Sequence, residues 1–209
     1  VGEDTDGDGT TDTDISGNFI CTQGSKAFGD VTTVVGSNGL VGGLLTALLN
    51  LLGGDTATTL LNSVTEPDNV IDGRLATYST FSLTLGLLGG LISTVDESVV
   101  FPSQVPSGNY AVFGISLPQA TADVSLFNTI SVTTYLGDTQ QETKSYSQSD
   151  LDLLGLGTGD AAFVGLKAHK AFDRATLRIT PGLLTVDVGD ALHAHELCTG
   201  GKFVTPPTT

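Results

Sequence analysis

Apolar residues fall at every second position through most of the second half of this chain. Phe81, Leu83 and Leu85 alternate with Ser82 and Thr84, Ala111, Phe113, Ile115 and Leu117 share one face of a run over 110–117, and Ile130, Val132 and Thr134 alternate toward Tyr135. Period two puts every other side chain on the same side of a pleated backbone, so each run predicts a strand with one buried face. Gly137-Asp138 predicts a turn into a polar strand over 139–146, and further strands are expected over 91–100, 161–167, 175–180, 183–188 and 191–198, with one or two more between 15 and 35. Pro102 and Pro106 mark a loop, Pro118 ends a strand, and the Leu/Gly stretches 86–90 and 151–159 read as bends. Many short strands separated by Gly and Pro turns predict a mainly β chain, an antiparallel β-sandwich of jelly-roll type with one short apolar helix.

The helix is expected where the period changes. Across residues 40–54 the small or polar positions Gly42, Thr46, Asn50 and Gly53 recur three or four apart, forming one narrow stripe on a helix with leucine elsewhere. Gly53-Gly54 supplies its C-terminal stop. The run is too short, and too interrupted by Asn50, for the roughly 18 apolar residues a membrane span requires. Leu44, Leu48 and Leu52 therefore pack either inside one subunit or against a second copy.

Charge narrows the partners. Eight basic residues stand against 23 acidic ones, a net of −15, with Glu3, Asp4, Asp6, Asp8, Asp12 and Asp14 in the first fourteen positions. Phosphate backbones and anionic membranes are repelled, and cations are the natural small partners. Counting Asp4 as the first position, carboxylates occupy places one, three, five and nine, with Gly9 at the sixth, as in the first half of an EF-hand-type loop. The closing bidentate ligand is absent, since the twelfth place is Ile15. Asp4, Asp6, Asp8, Asp12 and Asp14 are accordingly candidate Ca²⁺ ligands, and the segment resembles the thrombospondin type 3 and dockerin-like Asp repeats of secreted proteins. The expected organisation is a calcium-binding leader over 1–14, a sandwich over 15–200 with its helical insertion near 40–53, and a tail over 201–209. The start at Val1, the Thr, Ser and Gly content and the lack of Met and Trp suggest a processed product that is secreted, extracellular or on the cell surface. In that setting Cys21 and Cys198, near opposite ends, are expected to form a disulfide, within the chain or between chains.

The segment Glu66-Pro-Asp-Asn-Val-Ile-Asp-Gly-Arg-Leu-Ala-Thr-Tyr78 reads as a loop wrapped around something and feeding a strand. It is similar to the A-x-x-A-x-D-G-x-x-x-T-x-W signature of discoidin-type, galactose-binding-like jelly-roll domains, with Tyr78 at the Trp position. Phe172-Asp-Arg-Ala-Thr-Leu-Arg-Ile-Thr180 resembles the family's penultimate strand and Leu192-His-Ala-His-Glu-Leu-Cys198 its last. The resemblance implies a structural Ca²⁺ held by Asp72, Thr77 and Glu196. Asn69-Val-Ile-Asp-Gly73, Phe101-Pro102 with Gly108 to Phe113, and Lys170-Ala-Phe-Asp173 also resemble domains of secreted and outer-surface proteins of Bacteroidetes-like bacteria.

Catalytic motifs are missing: there is no Gly-x-Ser-x-Gly elbow, no HExxH and no phosphate-binding glycine loop, and the expectation is that the protein is not an enzyme. His193 and His195 share a strand face, either as a surface pair or as two ligands of a zinc or copper site completed by Cys198 or Asp190. The function expected first is structural or adhesive: a calcium-stabilised extracellular subunit that self-associates in a fibre or surface layer, or contacts other surface components. The alternative is a non-catalytic carbohydrate-binding module with polysaccharide as its partner, its stacking surface limited to Tyr78, Tyr110, Tyr135 and Tyr146.

Overall fold

The computed structural model describes residues 19–21, 26–33, 64–83, 92–118, 124–156, 161–182 and 188–201. Within them the chain forms β1 (Phe19–Cys21), β2 (Lys26–Thr33), β3 (Val64–Thr65), β4 (Ser79–Leu83), β5 (Ile92–Val105), β6 (Tyr110–Ser116), β7 (Phe127–Leu136), β8 (Thr139–Ser147), α1 (Gln148–Leu153), β9 (Ala162–Lys167), β10 (Phe172–Pro181) and β11 (Val188–Gly201). The strands make two antiparallel sheets. One runs β3-β4-β11-β6-β9, with β1 pairing the far end of β11; the other runs β2-β5-β10-β7-β8. The expected antiparallel sandwich is therefore the architecture.

Alternation decides which side chains fill the space between the sheets. On β10, Ala175, Leu177 and Ile179 point inward and are fully buried, meeting Phe81, Phe113, Phe127, Ile115 and Leu192. The residues between them carry a polar ladder across the other face. Arg178 bonds Asp96 through Nε and Nη2 (2.8 and 2.6 Å), the Ser98 and Thr176 hydroxyls lie 2.8 Å apart, and Thr133 and Thr143 lie 3.0 Å apart. Two polar links cross between the sheets. Ser79 on β4 reaches the buried carboxyl of Glu97 on β5, and the Tyr146 phenol on β8 both donates to the Gly165 carbonyl (2.8 Å) and accepts from its N–H (3.0 Å) on β9.

Three boundaries differ from expectation. The strand expected to end before Pro102 continues to Val105, because the β5–β10 ladder slips between Val105↔Phe172 and Val100↔Arg174 and so places Pro102 where no ladder N–H is needed. The bend expected over 151–159 opens with α1, started by a reciprocal cap: Ser147 Oγ accepts from Asp150 N, and the Asp150 carboxylate accepts from Ser147 N. The run expected over 191–198 belongs to a longer strand, β11, that begins at Val188 and carries register shifts after Val188 and after Ala194, while residues 183–187 of the run expected over 183–188 lie outside the described residues. The leader ligands Asp4, Asp6, Asp8, Asp12 and Asp14, the helix over 40–53 with Leu44, Leu48 and Leu52, and residues 202–209 lie outside the described residues. Among the described residues no helix is long and apolar enough to cross a membrane.

Candidate functional site

The loop between β3 and β4 is built from its own sequence. Glu66 takes a left-handed conformation (φ 53°), Pro67 opens a 3-10 turn over Pro67–Ile71, and Val70 plugs the turn into the core. Gly73, at φ 79°, then reverses the chain, a conformation that favours glycine. The Asp72 carboxylate faces inward across the loop, accepting from Arg74 N at 2.9 Å. Thr77 Oγ1 lies 2.9 and 2.8 Å from the two Asp72 oxygens and 2.8 Å from the Arg74 carbonyl. One hydroxyl proton faces three acceptor oxygens here, so the loop gathers more lone pairs than protons. Glu196 on β11 is fully buried, and its Oε1 accepts from Gly73 N at 3.3 Å. Tertiary structure thus brings the predicted trio together: Thr77 on Asp72 directly, Glu196 through the backbone of Gly73. Among the described residues no three His, Cys, Asp or Glu side chains converge as a metal cluster, so the trio supplies two carboxylates.

Beyond Thr77 the loop rises over the outer face of the first sheet. Tyr78 is 38 % exposed and stacks on His193 with centroids 3.7 Å apart, while His195 meets the same ring edge-on at 5.6 Å. His193 Nε2 is 2.9 Å from Asp190 Oδ1. His195 Nδ1 is 2.9 Å from the Leu75 carbonyl, which only accepts, so this nitrogen carries the proton; Nε2 then accepts from Ser116 Oγ at 2.8 Å. Burial lowers the His195 pKa, the bond to the Leu75 carbonyl opposes that shift, and neighbouring His193 adds to it. Both His195 nitrogens and one of His193 are thereby engaged with oxygen partners, and the geometry favours the surface-pair reading of these histidines over a zinc or copper site.

Beside His195 lies a mostly apolar pocket of about 270 Å³, lined by Leu75, Ala76, Gly114, Ala161, Phe163 and His195. Gly114 keeps its floor open, because a Cβ there would stand 3.4 Å from both His195 Cβ and Phe163 Cε1. A second cavity of about 280 Å³ opens beside Pro102, Gln104, Asn109 and Thr199. Sequence reading singled out Tyr78, His193 and His195 but passed over Ser116 and Glu97. Ser116 joins the site only through the register that sets His193 opposite it across β11 and β6.

No family model matches the chain, and no curated protein matches it. Among solved structures it is similar to a fucose-binding module of Streptococcus pneumoniae (TM-score 0.38, 11 % identity, covering 64 % of this chain and 82 % of that one). It is also similar to a family 32 carbohydrate-binding module of C. perfringens in complex with galactose (TM-score 0.39, 12 % identity, 66 % and 90 % covered). A third is the C-terminal domain of a chitobiase from Bacteroides fragilis (TM-score 0.37, 15 % identity, 68 % and 87 % covered).

Proposed function

We propose that this chain is a carbohydrate-binding sandwich of a secreted or cell-surface protein, with a neutral saccharide seated against Tyr78. The observation that carries this reading is the Tyr78 ring, partly open to solvent and held in place by stacking on His193, which Asp190 anchors in turn. An immobilised aromatic face suits the C–H face of a sugar ring, and the exposed Asp190 carboxylate suits its hydroxyls. The net charge of −15 disfavours uronate and sulfated chains. Affinity electrophoresis through gels containing neutral polysaccharides tests the reading. The wild type is expected to be retarded and Tyr78→Ala to migrate freely with an unchanged far-ultraviolet spectrum. Equal migration of both in every gel overturns it. The assembly surface expected at Leu44, Leu48 and Leu52 lies outside the described residues, and no described feature favours self-association over sugar binding.

The same reading gives the 66–78 loop a Ca²⁺ ion. The donors fit: Asp72, Thr77 and Glu196 offer hard oxygens, and the crowding of acceptors around Thr77 Oγ1 is what a cation relieves. Bound there, the ion would tie the loop that carries Tyr78 to β11, which carries His193. The leader residues Asp4, Asp6, Asp8, Asp12 and Asp14 form a second Ca²⁺ site on the strength of their spacing. A Cys21–Cys198 disulfide within the chain belongs to the same proposal. It is supported by the strand register, which sets Cys21 directly opposite Cys198, and by the absence of any free thiol among the described residues.

A further inference from the structure

The Ser116–His195 pair has a geometry that sugar binding does not use. Ser116 Oγ is 2.8 Å from His195 Nε2, and His195 Nδ1–H is 2.9 Å from the Leu75 carbonyl. A hydroxyl, a base and a group that orients the base therefore stand in line, the relationship that activates a serine nucleophile. The carbonyl fixes the tautomer, so the nitrogen facing the serine is the one with a free lone pair. Gly114 precedes Ser116 by two residues on β6 and so lies on the same face of the strand. Gly114 and His195 both line the 270 Å³ apolar pocket, so the imidazole that Ser116 bonds forms part of its wall. Ser116 itself is half-buried.

We propose that Ser116 and His195 form an acyl-transfer pair whose substrates are small carboxylic esters, with the acyl group seated in the pocket between Leu75 and Phe163. Ser116 Oγ attacks the ester carbonyl carbon and its proton passes to His195 Nε2. The bond to the alcohol oxygen then breaks, and the alcohol leaves with that proton. Water, deprotonated by the same nitrogen, releases the acid and restores the serine. The Leu75 carbonyl holds the transient imidazolium through Nδ1–H, which makes it a positioning group. The Tyr78 ring and His193, the latter paired with Asp190, also flank the imidazole.

This inference is independent of the sugar reading, since Tyr78→Ala leaves Ser116, His195 and Leu75 in place. The test is to treat the full chain with diisopropyl fluorophosphate and map the adduct by peptide mass spectrometry. The expected result is a single adduct on Ser116, slowed about 100-fold or more in His195→Gln. 4-Nitrophenyl acetate should leave an acetyl group on the same residue. Labelling of Ser116 no faster than that of the exposed Ser103 and Ser107, or labelling unchanged in His195→Gln, overturns the proposal. Because the adduct is mapped on the wild-type chain, the outcome does not depend on whether a Ser116→Ala chain folds.

Discussion

Ser79 Oγ donates to Glu97 Oε2 at 2.7 Å across the interior of the sandwich, joining β4 of one sheet to β5 of the other with no solvent on either residue. Desolvation is the largest influence on this carboxyl and pushes its pKa up to about 8; the serine bond opposes the shift and the charge of Asp68 adds to it. Glu97 is therefore protonated in the folded protein at neutral pH. In the unfolded chain it ionises near the ordinary carboxyl value of 4.5. Between these two values the unfolded state holds fewer protons, so stability falls as pH rises from about 5 to about 8 and levels off above that. Glu97→Gln removes the effect, and at pH 7 it should be more stable than the wild type by about 3 kcal/mol, an advantage that vanishes below pH 4.5. Urea unfolding of both proteins at pH 5 and pH 8 checks this. A wild-type-minus-variant difference that stays flat across that interval would show the carboxyl already ionised in the fold.

The Tyr146–Gly165 link closes the gap between β8 and β9, the edge strands of the two sheets. A Cβ on Gly165 would collide with the Ala111 carbonyl oxygen and stand 2.6 Å from Val112 Cα, both backbone atoms held in the β6–β9 ladder. Gly165→Ala is expected to cost more than about 3 kcal/mol or to prevent folding, a steric effect of the kind seen on overpacking. Tyr146→Phe keeps the ring and removes two hydrogen bonds, costing about 1–3 kcal/mol. Chemical denaturation midpoints decide both; an Ala variant as stable as the wild type would mean that β9 shifts freely against β6.

Calcium is expected to raise the melting temperature and EDTA to lower it, since an ion bound only by the folded state stabilises it by mass action, about 3 kcal/mol at a hundredfold excess over its Kd. Asp72→Asn should abolish the part of the shift that belongs to the loop and leave the part due to the leader. If EDTA leaves melting unchanged, neither site holds an ion.

Opposition of Cys21 and Cys198 predicts that the unreduced, unfolded chain takes up no iodoacetamide and that the reduced chain takes up two equivalents. Cys21→Ser should then cost about 2–4 kcal/mol of stability. Alkylation of both thiols without reductant would rule the bond out.

The fold class was legible in the sequence because a buried sheet face imposes period two on every strand that contributes to it. Ala111, Phe113 and Ile115 declared β6 without any knowledge of its neighbours, and the Asp72-Gly73 loop was legible because Pro67 and Gly73 dictate local backbone geometry. Residue pairs brought together by register were not. Ser116 and His195 are 79 residues apart, and no local pattern states that β6 lies beside β11, nor that His193 and His195 meet the Tyr78 ring. Glu97 stands between Asp96 and Ser98 in a polar stretch that looks solvent-facing; only the second sheet, arriving over β5, takes its carboxyl out of water. Local chemistry settled what each strand and turn would be, while long-range pairing, whose loop-closure entropy is repaid by the core as a whole, settled which side chains would meet.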